Sequence, residues 1–129
     1  MTPAVQGWFT GHLEKLGGRV LEVGSYNVNG GLKNIIPHRV GIDMRAGPEV
    51  DVVCKAEDAL SHFPAASFDA VVSAETLEHI EDWRGAVKAM WEIVKPQGWV
   101  LISMASARKR RHDYPNDYWR LEEKHIREI

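Results

Sequence analysis

A chain of 129 residues with a net charge of −2 is long enough for one domain with a buried core, and it carries no overall field that would draw it to nucleic acid or an anionic membrane. No stretch approaches the ~20 apolar residues of a membrane span, and the N-terminus lacks the cationic start and apolar block of a secretory leader. The single cysteine, Cys54, excludes an internal disulfide and fits a reducing, cytoplasmic setting.

Residues 4–16 place Val5, Trp8, Phe9, His12, Leu13 and Leu16 at spacings of three and four, which predicts an amphipathic helix stopped by Gly17-Gly18. Residues 20–23 read as a first strand, residues 30–36 as a short helix ended by Pro37, and residues 39–43 as a second strand. Gly47-Pro48 turns the chain into a third strand over 50–54, followed by a short helix over 56–62. Residues 68–73 form a run apolar enough for a fourth strand buried on both faces. Asp82 is placed to cap a helix over 83–94, with Ala86, Val87, Met90, Ile93 and Val94 facing inward. Pro96-Gln97-Gly98 ends that helix, residues 99–104 read as a fifth strand, and residues 118–129 as a final helix.

This alternation predicts one α/β domain over residues 1–129. Strands joined by crossovers must run parallel, and a doubly wound sheet binds its ligand beyond the carboxyl ends of the strands. Glu22 and Gly24, Asp43, and residues 73–75 therefore converge on one cleft. The first strand ends in an acid and a glycine, and the second ends in another acid 21 residues after the first. That is the outline of a nucleotide site: a loop whose backbone can approach a ligand, and a carboxylate able to hold a ribose.

Four segments go further. They are Val20-Leu21-Glu22-Val23-Gly24-Ser25; Gly41-Ile42-Asp43; Phe68-Asp69-Ala70-Val71-Val72-Ser73-Ala74-Glu75-Thr76-Leu77-Glu78-His79; and Ile93-Val94-Lys95-Pro96-Gln97-Gly98-Trp99-Val100. In this order they resemble the class I S-adenosylmethionine-dependent methyltransferases, closest to the small type-11 methyltransferase domains. The resemblance implies a Rossmann-like, mostly parallel five-stranded sheet of order 3-2-1-4-5 with flanking helices. It also implies S-adenosyl-L-methionine as cofactor. Gly24, with Ser25 and Gly30 in the same loop, would admit the methionine part of the cofactor, and Glu22 would act near its amine through the loop. Asp43 would accept the two ribose hydroxyls and Met44 would pack on the adenine. Ala56 and Glu57 would meet the adenine edge, and Ser73, Ala74 and Glu75 would line the floor below the methyl group.

The chain departs from the family pattern in three ways. Tyr26 and Val28 stand where glycines are usual, leaving Asn27, Asn29, Gly30 and Gly31 to supply unusual backbone angles. Lys55 stands where many members have an acid, and Glu57 or Asp58 could take its place. Family members have seven strands, so the domain is expected to be C-terminally incomplete. Its fifth strand would then be an edge, covered by the final helix or by a second copy in a homodimer.

The implied reaction is an in-line methyl transfer to a small-molecule acceptor. A base is needed only for an acceptor that still carries a proton, and His79 and His112 are the candidates. Each also has a plain reading, His79 as a packing residue and His112 as part of a polar loop. Tyr114, Tyr118 and Trp119 could stack on a flat acceptor or form core for the last helix. His12, His38, His62 and His125 have no metal-ligand spacing and read as surface residues, so no metal is expected. The basic run at 108–111 reads as a solvated loop, with an RNA-modifying role as its alternative. Two further readings remain. A nicotinamide-binding domain shares the ribose acid but not the G-x-G-x-x-G loop. A non-catalytic module would bind cofactor or a partner on the same fold.

Overall fold

The computed structural model describes residues 2–26 and 30–104. The expected final helix, the basic run at 108–111, His112, and the aromatic residues Tyr114, Tyr118 and Trp119 lie outside the described residues, as do Asn27, Val28 and Asn29.

Helix α1 covers Pro3–Thr10. The Thr2 hydroxyl accepts from the Val5 N–H at 3.3 Å and Pro3 occupies the first turn, where its missing N–H does no harm. The expected helix over 4–16 breaks at Gly11, and Leu13–Lys15 form a separate 3-10 turn. Gly7 and Gly11 weaken the helix interior, so the periodic pattern outlasts the helix itself. Residues 30–36 are turns rather than the expected helix: the Ile35 and Ile36 N–H groups both donate to the Leu32 carbonyl, and no second turn follows. Two glycines ahead and Pro37 behind leave too few residues to propagate a helical nucleus.

The strands are β1 (Val20–Val23), β2 (Val40–Asp43), β3 (Val52–Val53), β4 (Phe68–Ala74) and β5 (Val94–Ser103). They form one parallel sheet in the order β3-β2-β1-β4-β5, as the family resemblance implied. Strand β3 is shorter than expected, though the Asp51 N–H donates to Gly41 and the Cys54 N–H to Asp43, so contact with β2 continues on either side. Strand β5 begins earlier than expected, directly where α2 ends. Val94 pairs with Phe68, the chain then bulges, and pairing resumes at Trp99 opposite Ala70. Gln97 takes the bulge through a φ of 65°. Gly98 is required there, since a side chain would meet the Asp69 carbonyl at 2.6 Å.

Between β3 and β4 runs a 3-10 helix, Ala56–Ser61. After β4 come a short 3-10 turn, Leu77–His79, and helix α2, Trp83–Ile93. The Asp82 carboxylate caps α2 as expected, accepting from the Gly85 N–H at 3.1 Å. Apolar layers cover both faces of the sheet. Leu21, Val23, Ile42 and Val71 pack with Trp83, Val87, Met90 and Ile93 of α2. Val20, Ala70, Val72 and Leu101 pack with Phe9, Leu16, Leu32 and Ile36. Alternate residues of β1 thus serve opposite layers, as the strand period requires. Among the described residues no helix is long and apolar enough to cross a membrane.

Leu21 is fully buried at the middle of the sheet. Leu21→Ala is expected to lower unfolding free energy by about 2–5 kcal/mol, through lost transfer energy and the cavity left behind. Urea titration of parent and variant measures it.

Candidate functional site

The carboxyl ends of β1, β2 and β4 meet side by side, because Val23 pairs with Ile42 and Glu22 with Val72. Beyond β1 the chain bends sharply. Gly24 has a φ of 82°, and the Gly24 and Ser25 N–H groups both donate to the Ile42 carbonyl, at 2.9 and 3.0 Å. The bend therefore leans on the end of β2. It also leans on β4: a side chain at Gly24 would collide with that of Thr76, whose hydroxyl donates to the Ala74 carbonyl at 3.0 Å. Glycine is needed at 24 for its backbone angle and for this close approach.

Asp43 closes the end of β2. Its Oδ2 accepts from the Tyr26 N–H at 3.1 Å and its Oδ1 from the Arg45 N–H at 3.0 Å. The carboxylate is 13% exposed, enough to be reached from the cleft. Each oxygen has a second acceptor position, so the pair suits a ligand with two adjacent hydroxyls. Met44 follows with 59% exposure, unusual for so apolar a residue. Ala56 is buried at the start of its 3-10 helix and Glu57 is half-buried beside it.

Ser73 is fully buried, so its side chain does not reach the cleft surface, whereas Ala74 and Glu75 are half-buried beyond it. Glu75 sits at a φ of 51°, a strained angle for a residue other than glycine, and its N–H is held by the carbonyl (2.9 Å) and hydroxyl (3.3 Å) of Ser103. His79 is half-buried in the following turn, where its backbone N–H donates to the Thr76 carbonyl. Gly30 is exposed at a φ of 93°.

Glu22 faces away from open solvent. Its Oε1 stands 2.8 Å from Nε of Arg39, both side chains being almost wholly buried. Arg39 also binds Asp51 Oδ2 at 3.0 Å and the Glu49 carbonyl at 2.9 Å, and the Glu49 carboxylate lies 3.7 Å away. Burial pushes the Glu22 carboxyl up from 4.5 to about 7; Arg39 pulls it back down, and Glu49, Asp43 and Asp51 add to the rise. Ser25 is buried above this network, its Oγ 2.6 Å from where a Gly41 side chain would begin. Glu22 thus reaches the cleft only through the loop it supports.

The sequence reading missed Arg39, Tyr26, Arg45 and Thr76. Arg39 left a trace, as a charge at the mouth of a strand in a sheet covered on both faces.

Residues 9–129 match the family described as "Methyltransferase domain". The chain belongs to this family. Its sheet order is that of the class I, S-adenosylmethionine-dependent type that the four segments resemble. A ubiquinone biosynthesis O-methyltransferase of Burkholderia vietnamiensis is 28% identical over 118 residues, covering 80% of this methyltransferase domain and 51% of that protein. The domain thus spans about half the length of the curated relatives it matches. Among solved structures, a SAM-dependent methyltransferase from Archaeoglobus fulgidus superimposes with a TM-score of 0.72 at 16% identity, over 96% of this chain and 64% of that one. A phosphoethanolamine N-methyltransferase from Haemonchus contortus, solved with phosphomonomethylethanolamine and S-adenosylhomocysteine, gives 0.66 at 21% identity, over 95% and 35%. At these identities the structural likeness speaks to the fold.

Because its folded-state pKa is raised, Glu22 keeps its proton in the folded domain at pH values where the unfolded chain has released it. Its contribution favours folding toward pH 4.5 and is lost as pH rises to about 7. Glu22→Gln is expected to remove this slope, so urea midpoints from pH 4.5 to 7.5 should fall less steeply with rising pH than the parent's.

Proposed function

We propose that the domain binds S-adenosyl-L-methionine across the ends of β1, β2, β3 and β4 and serves methyl transfer to a small-molecule acceptor. The observation that carries this reading is the Asp43 carboxylate, held at the cleft mouth by two backbone N–H groups, beside the bend at Gly24. A pre-set carboxylate with one acceptor position left on each oxygen matches the two hydroxyls of a ribose. The neighbouring groups fit the rest of the cofactor. Met44 offers an exposed thioether chain for the adenine face, and Ala56 and Glu57 border its edge. Gly24, Ser25 and Gly30 leave room for the methionine tail, with Glu22 beneath the loop.

The chemistry supplied by the bound cofactor is a methyl carbon activated by a sulfonium, with a neutral thioether to leave. No acid is needed for that departure, so the protein's main task is alignment, which can contribute about 7–11 kcal/mol. Ala74 and Glu75 form the floor on which alignment rests, with Ser73 buried beneath them, and the hold of Ser103 on the Glu75 N–H fixes its height. Where the acceptor is a hydroxyl, His79 and His112 are the candidate bases. The relatives named for O-methyl transfer in ubiquinone biosynthesis support a small, oxygen-bearing acceptor. The β5 edge is where a second copy would pair, and the free, buried Cys54 suits a cytoplasmic setting.

S-adenosylhomocysteine at about 100-fold above its Kd should add about 2.7 kcal/mol to stability and raise Tm by roughly 5–15 °C. Asp43→Ala should bind it at least about tenfold more weakly, since hydrogen bonds to a charged group are worth about 1.5–3 kcal/mol each. Calorimetric titration measures this, with NADH as the competing ligand. Equal affinity in parent and Asp43→Ala, or preference for NADH, would remove the proposal.

A further inference from the structure

The aromatic residue that replaces a loop glycine is built into the site. The Tyr26 ring lies under the Arg45 guanidinium, 4.1 Å from its carbon to the ring centroid. Arg45 Nε lies 3.9 Å from Asp43 Oδ1. The ring also fills the space a side chain at Gly47 would need, which explains a glycine there at a φ of 157°. Tyr26 and Arg45 are the two residues whose backbone N–H groups hold the Asp43 carboxylate, one on each oxygen. The loop after β1, the end of β2 and the turn at Gly47 are thus fastened at one point, and the fastener is a cation stacked on an aromatic face.

We infer that Tyr26 and Arg45 are positioning residues for the ribose: their stack fixes the two N–H groups on Asp43 and so sets the direction of its remaining acceptor positions. The inference rests on the ribose role of Asp43. A carboxylate free to rotate about its side-chain bonds would meet two adjacent hydroxyls in only a fraction of its orientations. Held by one N–H on each oxygen, it presents both acceptor positions together. Arg45 also places its positive charge 3.9 Å from Asp43 Oδ1, on the side of the carboxylate away from the Tyr26 N–H. The guanidinium plane is needed as well as its charge, because a lysine cannot stack in the same way.

The test compares S-adenosylhomocysteine with its 2′-deoxy analogue by calorimetric titration, in parent, Tyr26→Ala, Tyr26→Phe, Arg45→Ala, Arg45→Lys and Asp43→Ala. The readout is the ratio of the two Kd values, which a merely structural role would leave unchanged. In the parent the ratio should be about tenfold or more. It should fall toward one in Tyr26→Ala, Arg45→Ala and Arg45→Lys, and return in Tyr26→Phe. A full parental ratio in both alanine variants overturns the inference, as does equal weakening of both ligands. The ribose reading is judged separately: if Asp43→Ala keeps the parental ratio, that reading fails and the inference fails with it. If Asp43→Ala loses the ratio while the Tyr26 and Arg45 variants keep it, only the inference fails.

Discussion

One buried arginine ties β1, β2 and the approach to β3 together. Arg39 stands at the entrance to β2 with its side chain wholly enclosed, and it meets Glu22 from β1 and Glu49 and Asp51 from the connection into β3. A charge in that position cannot be left alone: an isolated buried ion is costly enough that partners must surround it. Asp51 satisfies Arg39 and the Gly41 N–H with the same oxygen, so the charge network and the backbone ladder are joined. The result fixes β1 against β2 along their length, and only then do Gly24 and Asp43 meet at the far end. Replacing such a network by apolar groups can be neutral for stability. Register between these strands matters to the site, since a slip of one residue would turn Asp43 away from the cleft.

The parts of the fold that could be read from the chain are those decided by local pattern. Strand β4 is a continuous apolar run, helix α2 has a periodic face and an aspartate cap, and β1 ends in a glycine. Each announces itself within about ten residues. The errors arose where pattern and backbone preference disagreed. Val5, Phe9 and Leu16 keep helical spacing across a break at Gly11, because both halves cover the same layer. The bulge between Val94 and Trp99 was hidden by Pro96-Gln97-Gly98, which reads as an ordinary stop.

The site divides in the same way. Gly24 and Asp43 were visible because each lies at a strand end with a known geometric duty. Thr76 could not be recognised as the neighbour that fills Gly24, because their contact spans some fifty positions of chain. Tyr26 looked like a departure from the glycine-rich loop; only the placement of Arg45 over its ring gives it a role. Glu22 was expected to act near the cofactor amine through the loop; its partner Arg39, which the strand pattern does not name, faces it across the sheet. Sequence reasoning locates carboxylates well and their counter-ions poorly, because the partner is chosen by packing across the sheet.

The contact between Gly24 and Thr76 has an evolutionary consequence. It makes the turn after β1 and the turn after β4 a single mechanical piece, with His79 tied on through the Thr76 carbonyl. A side chain at 24 has no room unless the side chain at 76 gives way. Position 24 therefore cannot diversify alone: any side chain there needs a matching change at 76. Change at the turn after β1 is thus coupled to change at the turn after β4.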